Sequence, residues 1–338
     1  LTLVFLPILV WSGLSCLWSI DPWHSLLSAG RLLGVTVVFL ILVASAHSLT
    51  SKETKILRIW LCRGGWLGLI SAVLAVASII GYSLWFAEWG LLQDRLNYFN
   101  RSAAVLVVLA WPICASFNQR WRAVGTTIFL LLAGMLCFAL PSTALFVAYL
   151  FGLAMFGLAT LSLSISRFAL FFSFLAYVVL LPIISVISLD IIGLMKDHIS
   201  IPIAEIHRIE VWKFCLTNIT QNPLFGLGLD TSQKIPGGEE QVFLYMMPDG
   251  TNLTGPLMPL HPHSAPIQVW LELGLFGFLF STVIFVFCVW SIPVRPSDKM
   301  ESRAAMATVG SGFVLAILSF DIWQGWWLCT LCSAGLYC

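Results

Sequence analysis

Apolar stretches that repeatedly reach or pass the ~20 residues needed to cross a hydrocarbon core constrain this chain more than anything else in it. They fall at roughly 1–18, 25–47, 61–87, 103–117, 122–140, 143–162, 168–192, 265–290, 303–320 and 323–338. Lipid offers no partner to a free backbone N–H or C=O, so these runs are expected as helices. The fold class that follows is all-α: a polytopic membrane protein with about ten transmembrane helices. Composition agrees, since 10% of the residues are charged against ~25% in an average soluble domain. A net charge of +1 with no Lys/Arg cluster gives no reason to expect nucleic acid; the expected surroundings are the lipid bilayer.

Basic residues orient the spans. One set of loops holds Lys52, Lys55, Arg58 and Arg63, then Arg120 and Arg122, then Arg167, then Arg295, Lys299 and Arg303. The opposite set holds Arg95, Arg101, Lys196, Arg208, Lys213 and Lys234 over a much greater length. The positive-inside rule places the first set, and both ends of the sequence, in the cytoplasm. The chain then divides into helices over 1–192, one long outward loop over 193–264, and helices over 265–338. The first run lacks a basic n-region and a small-residue cleavage site, so it does not read as a cleavable signal.

Two polar features inside the apolar frame stand out. Pro141-Ser142-Thr143 is a very tight outward turn. Arg31 falls inside the second run; such an Arg either faces protein or water, or snorkels to the interface. The nine cysteines are scattered and odd in number, which suggests no disulfide framework. Cys329-x-x-Cys332 lies in an apolar segment and reads first as small packing residues.

The long loop has two chemically distinctive ends. Toward its start, Ile206, Ile209, Trp212, Leu216 and Ile219 recur at helical spacing, and Asn222-Pro223 with Gly226 and Gly228 forms a stop. An amphipathic helix at the outer interface is expected, with Arg208 and Trp212 one turn apart. That spacing fits an interfacial anchor as well as a site. At its far end His261-Pro262-His263-Ser264-Ala265-Pro266 runs into Gln268, Glu272, Gly274 and Gly277. Ser264 can cap the next helix, with Pro266 in its first turn. His263 is then at a helix N-terminus, whose field helps keep imidazole neutral, the form a general base needs. Glu272 is near or inside the apolar layer and needs a partner. Two interfacial histidines ahead of an ordinary span would show the same composition.

Other chemistries find less support. His261 and His263 could chelate, with Glu239, Glu240 and Asp249 upstream, but no third ligand stands at a typical zinc or calcium spacing. No metal or other cofactor is expected. Sequences that would mark a serine hydrolase or a P-loop are absent. The absence of an internal repeat, inverted or direct, weakens a reading as a secondary transporter.

Taken in order, Arg208-x-x-x-Trp212, Asn222-Pro223-Leu224-x-Gly226-x-Gly228, and His263-Ser264 with Gln268, Glu272, Gly274 and Gly277 resemble the O-antigen ligase/polymerase superfamily. Trp18-Ser19-Ile20-Asp21-Pro22 and Asn100-Arg101 extend the likeness. His261-Pro262-His263 and Trp323-Gln324-Gly325-Trp326-Trp327 resemble an alphaproteobacterial branch. The resemblance implies a GT-C-like membrane enzyme of the bacterial inner membrane with its active site on the periplasmic side. It implies inverting, metal-independent transfer of a glycan from a polyprenyl-diphosphate carrier to an acceptor hydroxyl. As a ligase the acceptor is lipid A-core; as a polymerase it is another growing glycan. By the same resemblance His263 is the catalytic residue that accepts the proton of the attacking hydroxyl or orients that hydroxyl, and Arg208 meets the diphosphate charge, a task that suits its planar fork. His261, Arg101, Arg95, Trp212, Gln268 and Glu272 are then the candidate substrate-binding residues. Three departures stand out. No Arg accompanies Pro141-Ser142-Thr143 where many members have a Ser-Arg pair, Ser264 replaces the commoner Asn, and ten runs stand where about twelve are common. The last, with Leu1 at the start, leads us to expect an N-terminal hairpin outside this sequence.

Overall fold

A computed structural model describes residues 2–86, 92–195, 203–246, 250–293 and 299–337. Twelve α-helices are found among them: α1 (Thr2–Ser15), α2 (Pro22–His47), α3 (Ser51–Phe86), α4 (Leu92–Asn97), α5 (Asn100–Ala115), α6 (Arg122–Ala139), α7 (Thr143–Leu161), α8 (Leu163–Met195), α9 (Ile203–Gln221), α10 (Ala265–Ser291), α11 (Lys299–Leu318) and α12 (Gly325–Tyr337). Each of the ten apolar runs coincides with a helix. Among the described residues six of these, α2, α3, α6, α7, α8 and α10, are long and apolar enough to cross a membrane. α1 and α5 are shorter apolar helices. The protein is a multi-pass membrane protein.

Three expectations change in detail. The run at 61–87 is the second part of a helix that begins at Ser51. A reciprocal cap starts it early: the Thr50 N–H donates to Glu53 Oε2 (2.8 Å) and the Glu53 N–H to Thr50 Oγ1 (3.3 Å). The long loop is also not purely helical. It carries an antiparallel hairpin, β1 (Gln241–Met246) with β2 (Asn252–Pro256), irregular between Phe243 and Tyr245. Finally, α9 ends at Gln221 before Asn222-Pro223, as expected, but buries a different face. Val211, Cys215 and Ile219 are its buried residues and pack with Ile235, Met258, Ile267 and Leu271. Trp212 and Leu216 lie at the edge of that cluster, because the face is set by the helix α9 packs on rather than by hydropathy alone.

Two compact units divide the described chain: Leu1–Val37, Phe171–Phe287 and Ser319–Gly325 form the first; Val38–Leu170, Cys288–Leu318 and Trp326–Cys338 the second. The second unit packs helices through small residues, the usual device where lipid supplies no hydrophobic drive. Ala103, Ala104, Ala144, Ala148, Ala304 and Ala307 are buried, and Trp111 donates to Ser311 Oγ (3.0 Å). The tight turn Pro141-Ser142 joins α6 and α7 in this unit. Arg95 and Arg101 also belong to it, over the rings of Tyr82 (5.0 Å) and Trp326 (6.0 Å).

The first unit is organised by a break in α10. Gly274 has φ 66° and ψ −168°, so the carbonyls of Leu271, Glu272 and Leu273 lose the amides an unbroken helix would supply four residues on. The loop after α9 replaces them. Leu227 N–H donates to Leu271 O (3.0 Å) and Gly228 N–H to Glu272 O (2.8 Å), while Trp11 Nε1 donates to Leu273 O (2.8 Å). In return Leu275 N–H donates to Pro223 O (2.9 Å). Only glycine permits so close an approach: a Cβ on Gly226 would lie 2.5 Å from Glu272 O, and one on Gly274 2.1 Å from Leu224 O. Trp18-Ser19-Ile20-Asp21-Pro22 locks the other side. Trp18 Nε1 donates to Phe225 O (3.1 Å), Ile20 N–H to Leu227 O (3.0 Å), and Asp21 Oδ1 accepts His24 N–H to cap α2 (3.1 Å). Gly274→Ala is therefore expected to destabilise the protein by more than the ~1–2 kcal/mol of a left-handed alanine, seen as a lowered thermal midpoint in detergent. Gly157→Ala, with nothing within 4 Å of its Cβ, is expected to leave that midpoint unchanged.

Candidate functional site

His263 immediately precedes the cap of α10, and its backbone is unusual. Among the described residues only Asp230 (φ 59°) and His263 (φ 57°) are non-glycine residues with positive φ. Strain of this kind persists only where the surroundings over-determine it, and it gathers at functional sites. The surroundings here are explicit. His263 N–H donates to His261 Nδ1 (3.2 Å), and Trp212 Nε1 donates to the intervening Pro262 O (2.8 Å). Ser264 Oγ accepts Ile267 N–H (3.4 Å) as the expected cap and pairs with Tyr177 Oη (2.8 Å).

The partners fix the tautomers. His263 Nδ1 lies 2.9 Å from Ser319 O; a carbonyl only accepts, so Nδ1 carries the hydrogen and a neutral ring keeps its lone pair on Nε2. His261 accepts at Nδ1 and so carries its hydrogen on Nε2. The two rings lie 4.2 Å apart. Burial, then the neighbouring His263 and the Arg208 charge, lower the His261 pKa to about 3, and burial with the Arg208 charge lowers that of His263 below the ordinary histidine range. Both rings are held neutral.

α9 faces this segment. His207 Nε2 donates to Pro256 O (2.7 Å) and Trp212 bonds Pro262 O, so both brace the strand-to-histidine stretch. Arg208, one turn before Trp212, shares its face. Arg208 Nη1 donates to both carboxylate oxygens of Glu205, each at 2.9 Å.

Behind the histidines is a buried carboxylate. Glu272 is 0% exposed and Gln268 1%. Glu272 accepts from Trp323 Nε1 (2.5 Å), Ser232 Oγ (2.5 Å), Asp230 N–H (2.6 Å), Gln268 Nε2 (3.1 Å) and Ser232 N–H (3.4 Å). Gln268 Nε2 also donates to Asp321 Oδ1 (2.7 Å), and its Oε1 accepts Ile322 N–H (3.2 Å). Asp321 accepts Trp323 N–H (2.9 Å), and burial holds its carboxyl above the usual range. This clasp fixes the turn carrying Ser319, the residue that orients His263.

Asp230 links the clasp to α2. Its Oδ2 accepts from Ser28 Oγ (2.5 Å) and Arg31 Nη2 (2.9 Å), with His24 Nε2 at 3.2 Å. Arg31 thus faces protein, through a carboxylate of the long loop.

Of the residues singled out from sequence, His207, Arg208, Trp212, His261, His263, Gln268 and Glu272 come together in the first unit, while Arg95 and Arg101 lie in the second. Sequence reading missed Asp230, Ser232, Ser319, Asp321 and Trp323 as partners. The unpaired needs of Arg31 and Glu272 were the only signals pointing to them. Among the described residues no three His, Cys, Asp or Glu side chains gather as a metal site; Asp249 lies outside those residues.

Residues 128–281, from α6 into α10, match the O-antigen ligase family. The chain is also similar to proteins named "Putative polysaccharide ligase". That of Rickettsia typhi is 25% identical over 329 residues, covering 95% of this chain and 75% of the relative. That of Rickettsia prowazekii is 25% identical over 325 residues, 94% and 75% of the two chains. That of Rickettsia bellii is 24% identical over 328 residues, 94% and 74%. The family match includes Arg208, His261, His263, Gln268 and Glu272; Arg31, Arg95, Arg101 and Asp321 lie outside it.

Two neutral histidines, His261 buried and His263 partly buried, make stability sensitive to acid. Their folded pKa values lie below the unfolded value, so their contribution is complete above ~6.5 and is lost as pH falls toward the folded values. The thermal midpoint of the wild type is expected to fall across this window. In His261→Gln the slope there is expected to be shallower.

Proposed function

We propose that this chain, a membrane protein of the O-antigen/polysaccharide ligase family, is an inverting glycosyltransferase that moves a glycan from a polyprenyl-diphosphate carrier to an acceptor hydroxyl. The observation that carries the reading is His263: a neutral imidazole, its Nδ1–H tied to Ser319 O, with the Nε2 lone pair left for a proton. In the step proposed, Nε2 accepts the acceptor hydroxyl's proton as its oxygen attacks the sugar's anomeric carbon. The new C–O bond forms opposite the breaking carbon–oxygen bond to the diphosphate, which inverts the centre. The departing diphosphate takes the bonding electrons, and Arg208 meets the growing charge. Arg208 then exchanges part of its pairing with Glu205 for phosphate oxygens. No step calls on a metal.

Gln268 and Glu272 act as positioning residues, since their polar atoms are already bonded within the clasp. Trp212 and His261 brace the His263 turn and border the substrate. Arg95 and Arg101 are the remaining cationic candidates for the carrier. The name "Putative polysaccharide ligase" of the Rickettsia relatives favours a ligase over a polymerase that extends a growing glycan; lipid A-core is the acceptor proposed for it. The positive-inside pattern supports the inner membrane, with this site on the periplasmic face.

His263→Asn tolerates the left-handed backbone and removes the base. It is expected to lower transfer by about 10²–10⁴-fold, assayed with extracted lipid-linked glycan and acceptor lipid in detergent. Arg208→Ala is expected to reduce transfer at least as severely, and EDTA to leave the wild type active. Full activity in both variants, with unaltered thermal midpoints, would overturn the assignment.

A further inference from the structure

An open cavity in the first unit carries chemistry that the transfer step does not use. It has a volume of about 410 Å³ and is lined by Gln233, Lys234, Glu239, Gln241, Pro256, Met258 and Pro259, within the ~300–1,000 Å³ range of small-ligand clefts. Its polar side chains come from the 3-10 turn Ser232–Lys234, the turn after it, and the start of β1. Two primary amides present both donors and acceptors; one ammonium and one carboxylate offset each other. Among the described residues Lys234 and Glu239 form no ion pair. The rest of the lining is two prolines and a methionine. Planar hydrogen-bonding groups together with apolar surface, and no net charge, suit an uncharged polyhydroxylated ligand better than a phosphate or a hydrocarbon.

The cavity is built into the site's frame. Leu257 N–H donates to Glu240 O (2.9 Å), Met258 N–H to Gly238 O (2.8 Å) and Lys234 N–H to Thr231 O (2.8 Å). Ser232, at the start of the turn, is held by Glu272, and Pro256 by His207. The wall 256–259 then runs through Leu260 directly into His261-Pro262-His263. A ligand in this cavity is therefore held in fixed register with the reacting centre.

From this juxtaposition we propose that the cavity is a glycan subsite, which binds sugar units of the transferred chain or of the acceptor through Gln233, Lys234, Glu239 and Gln241. The proposal deepens the transferase reading and rests on it. Gln233→Ala/Gln241→Ala truncates two exposed side chains, so folding is not at stake. Removing their hydrogen bonds is expected to raise KM for one glycan about tenfold, with a smaller change in kcat. Titrating donor and acceptor separately identifies which of the two occupies the cavity. A donor shortened to one sugar distinguishes the subsite from the reacting centre: if the cavity holds donor units, its KM is expected to be insensitive to the double variant. Thr217→Ala, exposed on α9 and away from the cavity, serves as the surface control and is expected to leave both KM values unchanged.

Saturation-transfer NMR supplies a second readout, using oligosaccharide released by mild acid from the source cells' lipid-linked pool and from their acceptor lipid. Binding to wild type and its loss in the double variant are expected. Unchanged KM values together with unchanged saturation transfer would overturn the subsite. A wild type that binds the oligosaccharide but transfers nothing would overturn the transferase reading and leave the subsite standing.

Discussion

A helix broken within an apolar layer must hand its freed carbonyls and amides to some other part of the chain, because lipid cannot accept them. In the first unit that constraint organises everything else. The break at Gly274 exposes three carbonyls and an amide; Pro223–Gly228 meets two of the carbonyls and the amide at hydrogen-bonding distance, and Trp11 Nε1 meets the third carbonyl. The loop after α9 is thereby spliced into α10, which brings α9 and its Arg208 to bear on the turn that carries His263. The glycines at 226, 228 and 274 follow from steric need, since a Cβ at any of them would meet a neighbour at 2.5 Å or less.

The splice also sets Glu272, whose own carbonyl is one of those it satisfies. A carboxylate buried without partners would be very costly; this one accepts from five donors drawn from α10, the loop after Gly228 and the turn before α12. Those donors have few other ways to be satisfied in so buried a place. The clasp therefore converts an energetic liability into a rigid mount, and through Asp321 and Ser319 the mount sets the hydrogen-bonded state of His263. At this imidazole the nitrogen facing Ser319 O is committed to structure, and the other carries the lone pair on which the proposed chemistry rests.

Much of this was legible from the residues. Ten apolar runs marked ten helices, Asn222-Pro223 marked the end of α9, and Ser264 marked the start of α10. Less legible was which face of α9 is buried. Its hydropathy stripe pointed to Ile206, Ile209, Trp212, Leu216 and Ile219, whereas packing with Ile267 and Leu271 kept Ile219 and selected Val211 and Cys215 in place of the rest. The hairpin in the long loop was also unmarked, because its two short strands lack a strong alternation of apolar and polar residues.

The sequence by itself determined that this is a membrane protein, where its helices lie, and that Arg208 and His263 flank one polar loop. Those facts rest on local chemistry: run length, caps, and the cost of charge in lipid. Only the tertiary structure decided what the isolated polar residues were for. Arg31 met Asp230 across 199 positions, Gln268 met Asp321 across 53, and Ser319 met His263 across 56. Such pairings depend on which helices meet and at what rotation. No spacing along the chain encodes that, because each residue is satisfied by a partner the fold delivers from elsewhere.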